Sequence, residues 1–164
     1  MNEPVIAIYD IGRTNKKLLL YDREYQVVYQ DQVSLPEIKD EDGYPCEDVN
    51  NVSQWVKKSF KAIKRNKKFA IRALNVSAYG ASFVHLDERG RPATPLYNYL
   101  KPYPEGLAEQ LYEQYGGETT FVRQTASPRM GMLNSGLQLY WLKHCKPEMY
   151  NKIWRSLHLP QYFA

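Results

Sequence analysis

The sequence predicts an α/β domain: a mixed sheet that opens with an antiparallel meander of three strands and carries flanking helices. Three observations support this. Apolar, β-branched runs crowd residues 5–35, with only short polar breaks between them. The first clear helical periodicity comes after that meander, over residues 52–66. Another apolar run follows that helix at once, as a crossover connection requires.

Residues 5–12, VIAIYDIG, form a short apolar run that ends in Asp and Gly, the pattern of a buried strand entering a turn. Residues 16–22 give a second strand and residues 23–35 a third, with Asp22, Arg23 and Glu24 as a hairpin connection. Residues 36–50 are acidic and hold Pro and Gly, so they predict a surface loop. Asp48 or Asn50 at its end can cap the following helix. Over 52–66, Val52, Trp55, Val56, Phe60 and Ile63 fall on one face. Residues 69–80 predict a strand running into a glycine. Residues 82–92 predict another, closed by an Asp-Glu-Arg-Gly turn.

Two helices come next. Residues 104–117 begin at a proline and stop at paired glycines. Residues 133–148 place Leu133, Leu137, Tyr140, Trp141 and Cys145 at core spacing, with Pro147 ending the helix or starting a new one. Residues 153–159 predict a strand, and Pro160 opens a further helix. Ala164 follows so soon that the chain is expected to be an incomplete N-terminal portion of a larger protein.

Composition narrows the function classes. The chain has 164 residues, 43% hydrophobic and 24% charged, which suits one ordinary globular domain. A net charge of +4 is too mild for a nucleic-acid binder. The densest basic run, residues 57–68, reads as the solvated face and C-terminal end of a helix. Cys46 and Cys145 stand far apart, as free thiols do in a reducing cytosol, and a cytoplasmic location is expected. No charged-then-apolar leader and no apolar run of about 18 residues appears, so no membrane partner is expected. The histidines share no ligand spacing, and His85, inside a strand, reads as a packed residue.

The chemistry gathers in the opening turn, YDIGRTNKKLLLYD. Gly12 permits close approach, Thr14 and Asn15 add neutral donors, and Arg13, Lys16 and Lys17 add cations. Asp10, at the strand end, suits a hydrated Mg²⁺ that bridges to phosphate oxygens. These residues alone fit two descriptions, a solvated hairpin and a phosphate clamp. The spacing is neither that of a P-loop nor that of a dinucleotide-binding glycine turn.

This turn, with two later blocks, resembles the FGGY family of carbohydrate kinases. The later blocks are LNVSAYGASFVHLDERGRPATPLYNY and LQLYWLKHCKPEMYNKIWRSLHLPQYFA. The AYGAS turn is most similar to rhamnulokinase-like and fuculokinase-like members. The resemblance implies an RNase H-like fold of the actin, hexokinase and Hsp70 superfamily. It also implies ATP with Mg²⁺ as cofactors and transfer of the γ-phosphoryl group to a hydroxyl of a deoxyketose or related sugar.

Carried onto this sequence, the resemblance puts Asp10, Gly12, Arg13, Thr14, Asn15 and Lys17 at the nucleotide phosphates, with Asp10 on the metal side. Tyr79, Gly80, Ala81, Ser82 and Asn98 fall at the sugar. There are departures. Arg13 stands where Thr or Ala is usual, and the segment after Asn98 lacks the Asp-x-Arg of many relatives. The general-base Asp is expected beyond residue 164, so no catalytic residue is assigned within the chain. Residues 1–164 are then the N-terminal kinase domain, with a C-terminal ATP domain as partner and self-association through the face that domain would cover. Two other classes are a non-catalytic nucleotide- or sugar-binding module of the same superfamily, and a structural domain whose charged hairpin binds nothing.

Overall fold

The computed structural model describes residues 2–164. Three strands form the meander: β1 (Glu3–Ile11), β2 (Lys16–Tyr21) and β3 (Val27–Val33). After a short hairpin of β4 (Ile38–Lys39) and β5 (Pro45–Cys46), helix α1 (Val49–Arg65) crosses back. It leads into β6 (Phe69–Ala78), which lies parallel to β1. The main sheet therefore runs β3-β2-β1-β6, antiparallel at the meander and parallel at β6. This is the mixed sheet that the element order predicts.

The pleat sorts the side chains of β1. Val5, Ala7, Tyr9 and Ile11 point one way and are buried beneath α1, together with Leu18 and Leu20 of β2. Ile6, Ile8 and Asp10 point the other way and are half-buried, as are Lys17, Leu19 and Tyr21. On α1, Val52 and Ile63 are buried and Trp55, Val56 and Phe60 pack against the same core, as the periodicity predicts. The Asp48 carboxylate caps the helix by accepting from the amides of Asn50, at 2.9 Å, and Asn51, at 3.3 Å. Lys57, Lys58, Lys61, Lys64 and Arg65 are all exposed, as a solvated face should be.

The second half builds a smaller lobe. Its helices are α2 (Leu107–Gln114), α3 (Glu118–Thr125), α4 (Ser135–Cys145) and α5 (Pro147–Tyr150), while β7 (Phe83–Leu86), β8 (Arg155–His158) and α6 (Leu159–Phe163) lie against the first core. β7 does not join the main sheet but pairs with β8, and α6 returns to pack on β6. Tyr97, Leu107, Met132, Trp141 and Leu142 form a second core.

Several boundaries move. The helix expected over 133–148 is split, because Pro147 starts α5 as a new segment. Leu133 and Cys145 are exposed, while Leu142 and Gln138 take core positions beside Leu137 and Trp141. The loop over 36–50 holds the β4–β5 hairpin, and Asp40 within it is buried. Gly116 and Gly117, at φ 79° and 90°, stop α2 where the paired glycines predict.

Candidate functional site

The bend between β1 and β2, residues 12–15, lies at the end of the sheet. A Cβ built on Gly12 would sit 2.9 Å from the Asn15 carbonyl oxygen, so only glycine lets this bend close. No hydrogen-bonded turn closes the bend, and no turn bond uses the amides of Arg13 or Thr14. Thr14 is exposed, and Asn15 accepts a hydrogen bond of 2.7 Å from the Ser34 hydroxyl.

The two lysines that follow diverge because β2 is pleated. Lys17 pairs across the ladder with Asp10, and Asp10 pairs on its other side with Ser77, which puts all three on the open face. Lys16 points to the buried face and is 1% exposed. Its ammonium donates to the Arg13 carbonyl oxygen at 2.8 Å and pairs with Glu47. In a trans peptide the carbonyl and the next amide point in opposite directions. Drawing the Arg13 carbonyl inward to Lys16 therefore turns the Thr14 amide outward.

Glu47 links the bend to the sugar-side segment. Its other carboxylate oxygen accepts from the Tyr79 hydroxyl. Burial first, and then the Glu47 charge, push the Tyr79 pKa well above the ordinary tyrosine range. The Tyr79 and Tyr99 rings lie 5.7 Å apart at 53°. Arg13 folds to the same side, where its Nη2 meets Glu37 Oε1 at 3.2 Å. Arg13, Glu37, Glu47, Tyr79, Asn98 and Tyr99 thus line one small pocket.

The expected sugar-side residues divide. Tyr79 lines this pocket with its ring, and Gly80 is exposed, its carbonyl 2.6 Å from His158 Nδ1. Ala81 offers its carbonyl to Gln138, and buried Ser82 donates to the Tyr97 carbonyl at 2.7 Å. Asn98 is buried, donates to the Pro45 carbonyl at 2.9 Å and accepts from the Leu100 amide at 2.9 Å. Those contacts join strand, loop and hairpin. Of the expected phosphate-side residues, Asp10, Gly12, Thr14, Asn15 and Lys17 stay at the bend, while Arg13 crosses to the tyrosine pocket.

Sequence reasoning does not single out Lys16, Glu37 or Glu47. Glu37 and Glu47 lie in the acidic loop, which looks solvated in sequence, and Lys16 reads there only as one more cation of the turn. The signal for Lys16 was available: in the alternation of residues 16, 18 and 20 it shares a face with Leu18 and Leu20, so it must be buried and paired. Among the described residues no group of three potential ligands could hold a metal ion, which leaves Asp10 as a single carboxylate.

Residues 5–163 match the model of the N-terminal domain of the FGGY family of carbohydrate kinases, and the chain belongs to that family. It is similar to a rhamnulokinase of Halalkalibacterium halodurans, 26% identical over 93% of this chain and 30% of the relative. It is also similar to a gluconokinase of Bacillus subtilis, 23% identical over the same shares of 93% and 30%. The chain thus spans just under a third of the length of the curated relatives it matches. The solved structure of a carbohydrate kinase from Novosphingobium aromaticivorans superposes with a TM-score of 0.82 at 22% identity, covering 99% of this chain and 33% of that one. The fold is the RNase H-like fold of these kinases. No helix among the described residues is long and apolar enough to cross a membrane.

Proposed function

We propose that this chain supplies the phosphate turn and one sugar wall of an ATP-dependent carbohydrate kinase, whose acceptor is a deoxyketose or related sugar. The observation that carries the proposal is the Lys16–Glu47–Tyr79 connection, which ties the bend to an aromatic pocket. ATP with Mg²⁺, when bound, supplies the γ-phosphoryl group. The bend fits such a group: the Thr14 amide is turned outward, Gly12 keeps the bend tight, and Lys17 adds a cation on the open face. A single carboxylate, Asp10, suits a cation that keeps most of its own waters.

The pocket residues orient the acceptor. The faces of Tyr79 and Tyr99 offer stacking to the C–H side of a sugar ring or chain. Glu47 is neutralised by Lys16 and occupied by Tyr79, so it is not available as a base, and the pocket positions without taking a proton. The 164-residue polypeptide on its own is therefore expected to bind without turnover. A coupled assay that found sugar-dependent ATP consumption by this polypeptide would contradict that.

NMR titration tests the two halves separately. Mg-ADP should shift the amides of residues 10–17, and rhamnulose should shift Tyr79 and Tyr99. Shifts confined to other surfaces would reject the proposal.

A further inference from the structure

Two ion pairs border the tyrosine pocket, and they differ in kind. Lys16–Glu47 is buried, with side-chain exposures of 1% and 9%, and both members have further partners. Arg13–Glu37 is open, at 34% and 47%, and rests on one hydrogen bond between Nη2 and Oε1. Among the described residues, the remaining guanidinium N–H groups and Glu37 Oε2 have no hydrogen-bond partner. The pocket they border has a space of about 10 Å³, the room of a single water. A ligand larger than water needs lining side chains to move, and the two pairs differ in what that costs. An exposed ion pair separates at little cost, whereas breaking a buried one is expensive.

From this we infer that Arg13 and Glu37 determine acceptor specificity, and that they select a neutral vicinal diol over a sugar acid. The inference rests on the kinase reading of the pocket. The pairing chemistry is complementary. A guanidinium donates to one hydroxyl oxygen, the neighbouring hydroxyl donates to a carboxylate, and a diol satisfies both at once. A ligand carboxylate would meet Glu37 at close range, and Lys16 cannot offset that repulsion because its charge is already matched by Glu47. Arg13 thereby leaves the phosphate side of the bend, and Glu37, on the loop before β4, becomes a binding residue.

The test titrates the isotope-labelled 164-residue chain with rhamnulose and, separately, with gluconate, following the Arg13 Nε–Hε and Tyr79 signals. Rhamnulose is expected to move both. Arg13→Gln and Glu37→Gln should each weaken rhamnulose roughly ten-fold, while Glu37→Gln strengthens gluconate. Both positions are exposed enough that the variants should keep the parent Tm. If the unaltered chain binds gluconate as tightly as rhamnulose, or both variants hold rhamnulose within about two-fold of the parent, the specificity role is wrong and the sugar pocket stands. If neither sugar moves any pocket signal, the specificity role and the sugar pocket both fall.

Discussion

Lys16 and Lys17 are neighbours of one residue type on one strand, yet they belong to different parts of the molecule. Lys16 lies under the sheet, bonded to the Arg13 carbonyl and to Glu47. Lys17 lies on the open face across from Asp10. The pleat alone separates them, since adjacent side chains on a strand leave by opposite faces. A cluster of charge in a turn therefore needs no single explanation. One lysine shapes the bend from inside, and the other offers charge outside it.

The sharpest way to break this comparison is to remove each ammonium in turn. Lys16→Met should destabilise the fold by about 3–5 kcal/mol, because it leaves the Glu47 carboxylate buried without its cation. Adding Glu47→Gln should recover more than half of that loss, since a neutral amide still accepts from Tyr79; denaturant unfolding measures both. Lys17→Met should stay within about 0.5 kcal/mol of the parent, as surface substitutions do, while weakening Mg-ADP. Equal losses at the two lysines would erase the distinction.

The comparison must be made at a pH where other buried groups are silent. Burial pulls the His85 pKa down to about 4, below an ordinary histidine. A depressed folded-state pKa gives stability that is present above the unfolded value near 6.5 and is lost as pH falls through the folded one. The loss should be on the order of 3 kcal/mol between about pH 6.5 and 4, and His85→Gln should flatten it. Tyr79 acts at the other end. Its pKa is raised, so stability is full below the unfolded value near 10 and declines as pH rises above it. Smaller than the Lys16 effect, Gly12→Ala should cost about 1–3 kcal/mol, because the new Cβ meets a backbone oxygen that cannot swing aside. A neutral result there would show that the bend relaxes and that Lys16 does not hold it.

Legibility in the sequence followed the range of the interactions. The meander, α1 and its Asp48 cap are local patterns, and they lie where periodicity and capping chemistry place them. The short helix α3, ETTFVRQT, carries no legible helix signal, because its threonines and valine have weak helix propensity and lobe packing decides the outcome. The partner of β7 was also hidden: β8 lies some seventy residues later, and nothing in FVHL names it. At the site, Asp10 and Gly12 carry recognisable turn chemistry. Glu37 and Glu47 carry none, because an acid in an acidic loop looks solvated until its partners are known. The tyrosines of YNYLKPYPE separate by environment. Tyr97 is core, Tyr99 faces the pocket, and the Tyr103 hydroxyl bonds the Leu137 carbonyl at 3.1 Å.

The β4–β5 hairpin has one more consequence. Lys101, lying over the rings of Tyr97 and Trp141, grips Asp40 at 2.5 Å and Asp42 at 2.7 Å, and Lys146 reaches Asp42 from the end of α4. Glu37 and Glu47 flank that hairpin, so the carboxylates facing the bend hang from the helical lobe. The bend itself is made by neighbours in sequence, whereas the acids opposite it are anchored by a contact spanning 104 residues. Order of assembly follows from this: the meander can form early, and the pocket closes last, after the far end of the chain has folded back.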